Sequence, residues 1–168
     1  MKIFIVNDEY DFILWFLCVV ILLLQGSIAG FITASSQRQY KVLKKPKISP
    51  PPIIFPIVWN ILFILMATAI YRIMMLWTQG YDVRLPLSLF LIQIILNFIW
   101  SIIFFKYKKR GLAVLELIVL IVFIILTMLS FFMVDKISFF LMLPYLLWTL
   151  FALYLNYSIW RLNKSNIK

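Results

Sequence analysis

Lys45-Pro46-Lys47-Ile48-Ser49-Pro50-Pro51-Pro52-Ile53-Ile54-Phe55-Pro56-Ile57-Val58-Trp59-Asn60 is the stretch that decides how the rest of this chain is read. Four of the seven prolines, Pro50, Pro51, Pro52 and Pro56, stand here between a basic segment and a long apolar run. Proline has no amide hydrogen to leave unpaired and its φ is already helical, so it suits the first turn of a helix. The pattern predicts a helix from about residue 50 with Ser49 as its N-cap. Pro56, past that first turn, is expected to bend the axis, and Trp59 falls about two turns inside.

Outward from this stretch the chain is apolar almost throughout. Of its 168 residues 65% are hydrophobic and 13% charged, against about 25% charged in a soluble domain. Cutting at the charges leaves five apolar runs, predicting helices over about 12–33, 50–73, 86–106, 111–134 and 137–161 and a first long loop over 34–49. Each run can cross a hydrocarbon core, which takes about 20 residues. The reading is a single all-α domain over 1–168, an integral, multi-pass membrane protein built as a five-helix bundle. The first run has an acidic flank and no clean small-x-small cleavage pattern after it, so it is read as a helix and not as a signal peptide.

The net charge of +10 is a matter of topology. Five spans place the N-terminus with the second and fourth connections, where Lys2, Arg72, Arg84 and Lys136 face Asp8, Glu9, Asp11, Asp82 and Asp135. The opposite side holds Arg38, Lys41, Lys44, Lys45, Lys47, Lys106, Lys108, Lys109, Arg110, Arg161, Lys164 and Lys168 and no acid. Lys and Arg accumulate on the cytoplasmic side, so the N-terminus is expected outside and the C-terminus in the cytoplasm. The partner this charge implies is the lipid bilayer, not nucleic acid. With no histidine and one cysteine, Cys18, neither a disulfide framework nor a His/Cys metal site is expected. The abundance of Ile, Lys, Phe and Asn fits an AT-rich bacterium, hence a bacterial cell membrane.

Within the helices a few residues stand out. Gly26 and Gly30 have the spacing that lets membrane helices approach closely, here inside the bundle. The loop over 34–49 carries Tyr40 among its bases and reads either as a binding lid or as a solvated connection. Trp77 and Tyr81 have the placement of interfacial anchors. Gln93, Asn97 and Trp100 share one face of the third helix, as interhelical glue or as a ligand-facing stripe, since amides in a span must turn inward. Glu116 is the one ionisable side chain inside the five apolar runs. Tyr145, Trp148, Ala152 and Asn156 share a face of the fifth helix, after a mid-helix Pro144. Three helices thus offer an indole each, Trp59, Trp100 and Trp148, with amides beside them. An apolar cavity with flat π walls and a few hydrogen-bonding groups suits a planar hydrophobic small molecule.

These residues resemble the TspO/MBR family, the translocator proteins or tryptophan-rich sensory proteins, also called peripheral-type benzodiazepine receptors. The pieces that carry the resemblance are Leu43-Lys44-Lys45-Pro46 with Pro50-Pro51 and Val58-Trp59, then Gln93, Asn97 and Trp100, then Leu143-Pro144-Tyr145-Leu146-Leu147-Trp148 and Leu155-Asn156-Tyr157-Ser158-Ile159-Trp160-Arg161. The resemblance implies a homodimeric five-helix bundle that binds protoporphyrin IX, related tetrapyrroles and drug-like ligands, with no cofactor required. It implies a pocket of Tyr40, Trp59, Gln93, Asn97, Trp100, Tyr145, Trp148 and Ala152. It also implies an alternative activity, light-dependent porphyrin breakdown, for which Trp59 and Trp148 are the candidate residues that donate an electron or trap a radical; a third reading is a ligand-independent regulatory membrane partner. Two positions that are commonly tryptophan in the family are Gln39 and Ile48 here. Leu155 to Arg161 fits a sterol-contact pattern, read in a bacterium as an aromatic and an arginine at the membrane interface.

Overall fold

A computed structural model describes the backbone of residues 3–41 and 43–164 and the side chains of residues 3–34 and 43–164. Five helices follow one another: α1 (Phe12–Lys41), α2 (Ile54–Thr78), α3 (Arg84–Ser101), α4 (Arg110–Val134) and α5 (Lys136–Leu162), with a π-helical turn, Ile102–Lys106, prolonging α3. All five are long and apolar enough to cross a membrane. A helix satisfies its own backbone, which is why such runs adopt it in lipid.

Neighbouring helices pack in the ring α1, α2, α5, α4, α3, and the π turn closes it against α1. The interior is filled by Met66, Ala67, Ala69, Leu120, Ile124 and Met142, all fully buried. Outward rows such as Phe16, Leu24 and Phe31 on α1 and Leu115, Val122 and Leu129 on α4 are exposed, as a lipid-facing surface requires. Gly26 lets α1 meet α2, because a Cβ there would come 2.4 Å from the Phe63 ring. Gly30 faces open space and has no such role.

The proline stretch behaves differently from its expected form. The helix begins at Ile54, and the N-cap is Ile53 with no side-chain cap bond, so Ser49 caps nothing. Each proline disfavours helical backbone in the residue before it, and three in a row keep the chain out of the helix until they are passed. Pro56 therefore falls within the first turn, where a missing N–H removes no intrahelical bond, and no kink is called for. The backbone of α1 stays helical through Lys41, so the first connection begins well after residue 34.

Arg72 is the larger departure, because it lies inside α2 and is buried. Its Nε and an Nη donate to the two Asp135 oxygens at 2.6 and 3.0 Å. Its other Nη donates to the Ile3 and Ile5 carbonyls, both at 2.9 Å. Asp135 also accepts from the Ser138 amide and hydroxyl, capping α5, and the Ser138 hydroxyl reaches the Ala69 carbonyl. The N-terminal segment thereby folds over this end of the bundle. Asn7 and Asp8 adopt left-handed φ values of 49° and 65°, making a tight turn between Val6 and Glu9, which exchange backbone bonds of 2.9 and 3.0 Å. The Tyr71 hydroxyl donates to the Phe4 carbonyl, and Gln79 donates to the Val6 carbonyl and the Glu9 carboxylate.

Burial pushes the Asp135 carboxyl up, but the Arg72 and Ser138 hydrogen bonds and the Arg72 charge outweigh it and leave the group below its usual range. A depressed carboxyl contributes stability above its unfolded value of about 3.9 and loses it as pH falls through the native value. Asp135→Asn should cost about 3 kcal/mol by stranding a buried guanidinium, read as a lower melting temperature in detergent. Its melting temperature should also fall less steeply than that of the wild type as pH drops below about 4.

Candidate functional site

The α2/α5 register determines which side chains meet in the bundle. Ser138 sits against Ala69, and ten residues along each antiparallel helix from that contact lie Trp148 and Trp59, about 15 Å toward the basic end. The Trp59 ring meets Tyr145 at 6.2 Å, Trp100 at 6.3 Å and Phe63 at 5.6 Å. Trp100 in turn stacks on Phe104 at 5.8 Å, and Trp148 meets Phe55 at 5.9 Å and Phe151 at 5.6 Å. Edge-to-face and tilted geometries of this kind add about 0.5–1.5 kcal/mol per pair beyond burial.

The polar groups lie within this aromatic layer. Asn97 donates through Nδ2 to the Tyr145 hydroxyl at 3.2 Å, and both residues are buried. Gln93, one turn earlier, is fully buried, yet neither end of its amide has a partner among the described residues. The Trp100 indole N–H is also buried and unpaired. Buried polar atoms are usually satisfied, so three orphans beside an aromatic wall leave hydrogen-bonding capacity open in this layer.

Of the expected site residues, Trp59, Asn97, Trp100 and Tyr145 come together through the contacts above. Gln93 and Trp148 occupy the flanking turns of the same stripes, and Ala152 is half-buried one turn beyond Trp148. The side chains of Tyr40, Gln39, Arg38 and Lys41 lie outside the described residues. Phe55, Phe63 and Phe104 were not anticipated, although each stands four residues from Trp59 or Trp100, a spacing that puts it on the same helical face. The π turn that carries Phe104 had no sequence signal. Among the described residues no group of three or more His, Cys, Asp or Glu comes together as a metal site.

Fold and site together define a multi-pass membrane protein with an aromatic and amide-lined interior layer. The model of the TspO/MBR family matches residues 17–161, and the chain belongs to that family. It is 38% identical over 148 residues to a tryptophan-rich protein TspO of Chlorobaculum tepidum, covering 88% of this chain and 94% of that one. It is 34% identical over 124 residues to a tryptophan-rich sensory protein of Cereibacter sphaeroides, covering 74% and 76%. The human translocator protein is 31% identical over 137 residues, covering 79% of each chain.

The Asn97–Tyr145 bond gives a test of the layer. Tyr145→Phe should cost about 1 kcal/mol by leaving the buried amide unpaired, whereas Asn97→Leu combined with Tyr145→Phe should cost less than the two single changes added together. Thermal melts of the three variants in one detergent decide it.

Proposed function

We propose that this protein is a membrane receptor or translocator-like carrier that takes a planar hydrophobic ligand, a tetrapyrrole such as protoporphyrin IX or a drug-like aromatic, into the layer of Trp59, Gln93, Asn97, Trp100, Tyr145, Trp148 and Ala152. The observation that carries this reading is the unpaired Gln93 amide and Trp100 N–H beside the Trp59–Trp100–Tyr145 ring cluster. Ring faces stack on a flat macrocycle, and the orphan donors and acceptor meet its polar edge. The end of the bundle nearest the site bears Lys44, Lys47, Lys108, Lys109 and Arg161, a charge that complements carboxylate substituents. The relatives' printed names, tryptophan-rich sensory protein and translocator protein, agree with a role in sensing or movement at a membrane.

Titration of the purified protein with protoporphyrin IX, read by quenching of tryptophan fluorescence, tests the proposal. Saturable quenching is expected, with Trp148→Ala weakening affinity by about 1–3 kcal/mol, or roughly 5- to 150-fold. Quenching that never saturates, or a Trp148→Ala variant that binds like the wild type, overturns the assignment.

A further inference from the structure

Glu116 on α4 and Asn156 on α5 are both more than nine-tenths buried, at 9% and 2% exposure. Neither Glu116 oxygen and neither end of the Asn156 amide has a hydrogen-bond partner among the described residues. The two side chains belong together by register. α4 and α5 are antiparallel and joined at Asp135, and the residues stand 19 and 21 positions from it, which places them about 3 Å apart along the bundle axis. Both lie on the inward stripes of their helices, Glu116 with Ala113, Leu117 and Leu120, and Asn156 with Tyr145 and Thr149.

Among the described residues no hydrogen bond satisfies this carboxyl. Arg110 precedes it by one and a half turns on its own helix, and Lys106 is exposed at the end of the π turn; neither bonds to the carboxylate. From α5, Tyr145 is the titratable group within electrostatic reach. The π turn of α3 packs against α4, and such turns are often found at functional sites. The donor and acceptor inventory then narrows the occupant. With the acid ionised, as a bound cation would hold it, three of the four unpaired atoms accept and only the Asn156 nitrogen donates. An acceptor-rich, acidic site in an apolar interior is complemented by a group rich in N–H donors and positive in charge.

Resting on the aromatic-layer reading above, we propose that Glu116 and Asn156 form a polar subsite at the basic end of that layer, which selects planar aromatic ligands bearing a cationic nitrogen, an ammonium or amidinium. The rings of the layer hold the ligand's plane, and the subsite reads its charged edge.

The test uses the full chain in nanodiscs of zwitterionic phosphatidylcholine, with two probes of one ring system: 9-aminoacridine, cationic at neutral pH, and uncharged acridine. Tryptophan quenching should show the cation binding about tenfold more tightly than acridine. Glu116→Gln should abolish that preference while leaving acridine affinity unchanged, and Glu116→Asp, which keeps the charge on a shorter stem, should restore part of it. Equal affinities in the wild type, or a preference that survives Glu116→Gln, overturn the subsite and leave the aromatic layer standing, with water as the occupant of the polar pair. If neither probe saturates, the aromatic layer fails and the subsite falls with it.

Discussion

The ion pair between Arg72 and Asp135 is the constraint on which the arrangement of the bundle depends. A buried pair is a poor source of net stability, because desolvating both charges cancels most of their attraction. Its value is geometric. The planar guanidinium accepts only a few arrangements of carboxylate, and here it holds two carbonyls of the N-terminal segment as well. One residue on α2 thus locks the first residues described, the α4/α5 turn and the start of α5 into one register. A slip of α5 by one residue along α2 would turn Tyr145 and Trp148 about 100° around the helix, away from Trp59. The aromatic layer exists where it does because a bond about 20 Å away, thirteen residues along α2, leaves no other register.

The bilayer makes every polar side chain in the spans a matter of placement. Thr33, Thr68, Thr127 and Thr149 return their hydroxyls to carbonyls three or four residues earlier on their own helices, so they can be buried at little cost. Amides and carboxylates have no such local option and must find a partner across the bundle or remain unsatisfied. Asn97 finds Tyr145, while Gln93, Glu116 and Asn156 find nothing among the described residues. This criterion separates the paired interior groups from the unsatisfied ones.

Much of this was legible in the sequence, and what was not has physical reasons. Five spans follow from hydropathy because a membrane leaves the backbone few alternatives, and the i, i+4, i+7 spacing of Gln93, Asn97 and Trp100 placed them on one inward face. Ser49 misled because its fitness as a cap was weighed alone, while the prolines after it acted on their predecessors and delayed the helix to Ile54. Arg72 looked like a charge bounding a span, since nothing local announces a partner sixty-three residues away. The extension of α1 to Lys41 is of the same kind. Basic and polar residues end a hydrophobic run without ending a helix, because Lys, Arg and Gln are good helix formers. In the π turn, no residue of Ile102-Ile103-Phe104-Phe105-Lys106 dictates the wider winding.

The two buried ionisable groups show how the molecule divides its tasks along the membrane normal. Arg72 has several of its N–H groups engaged and sits under a folded N-terminal turn, so its end of the bundle is closed by hydrogen bonds that resist rearrangement. Glu116, toward the other end, is also buried and has no hydrogen-bond partner among the described residues. An uncompensated carboxyl is destabilising, and that cost is tolerated where an occupant can offset it. Rigidity at one end is what allows incompleteness at the other. With α2 and α5 held in register near Arg72, the helices cannot collapse sideways to satisfy Gln93, Glu116 and Asn156 among themselves, and these groups stay unsatisfied among the described residues.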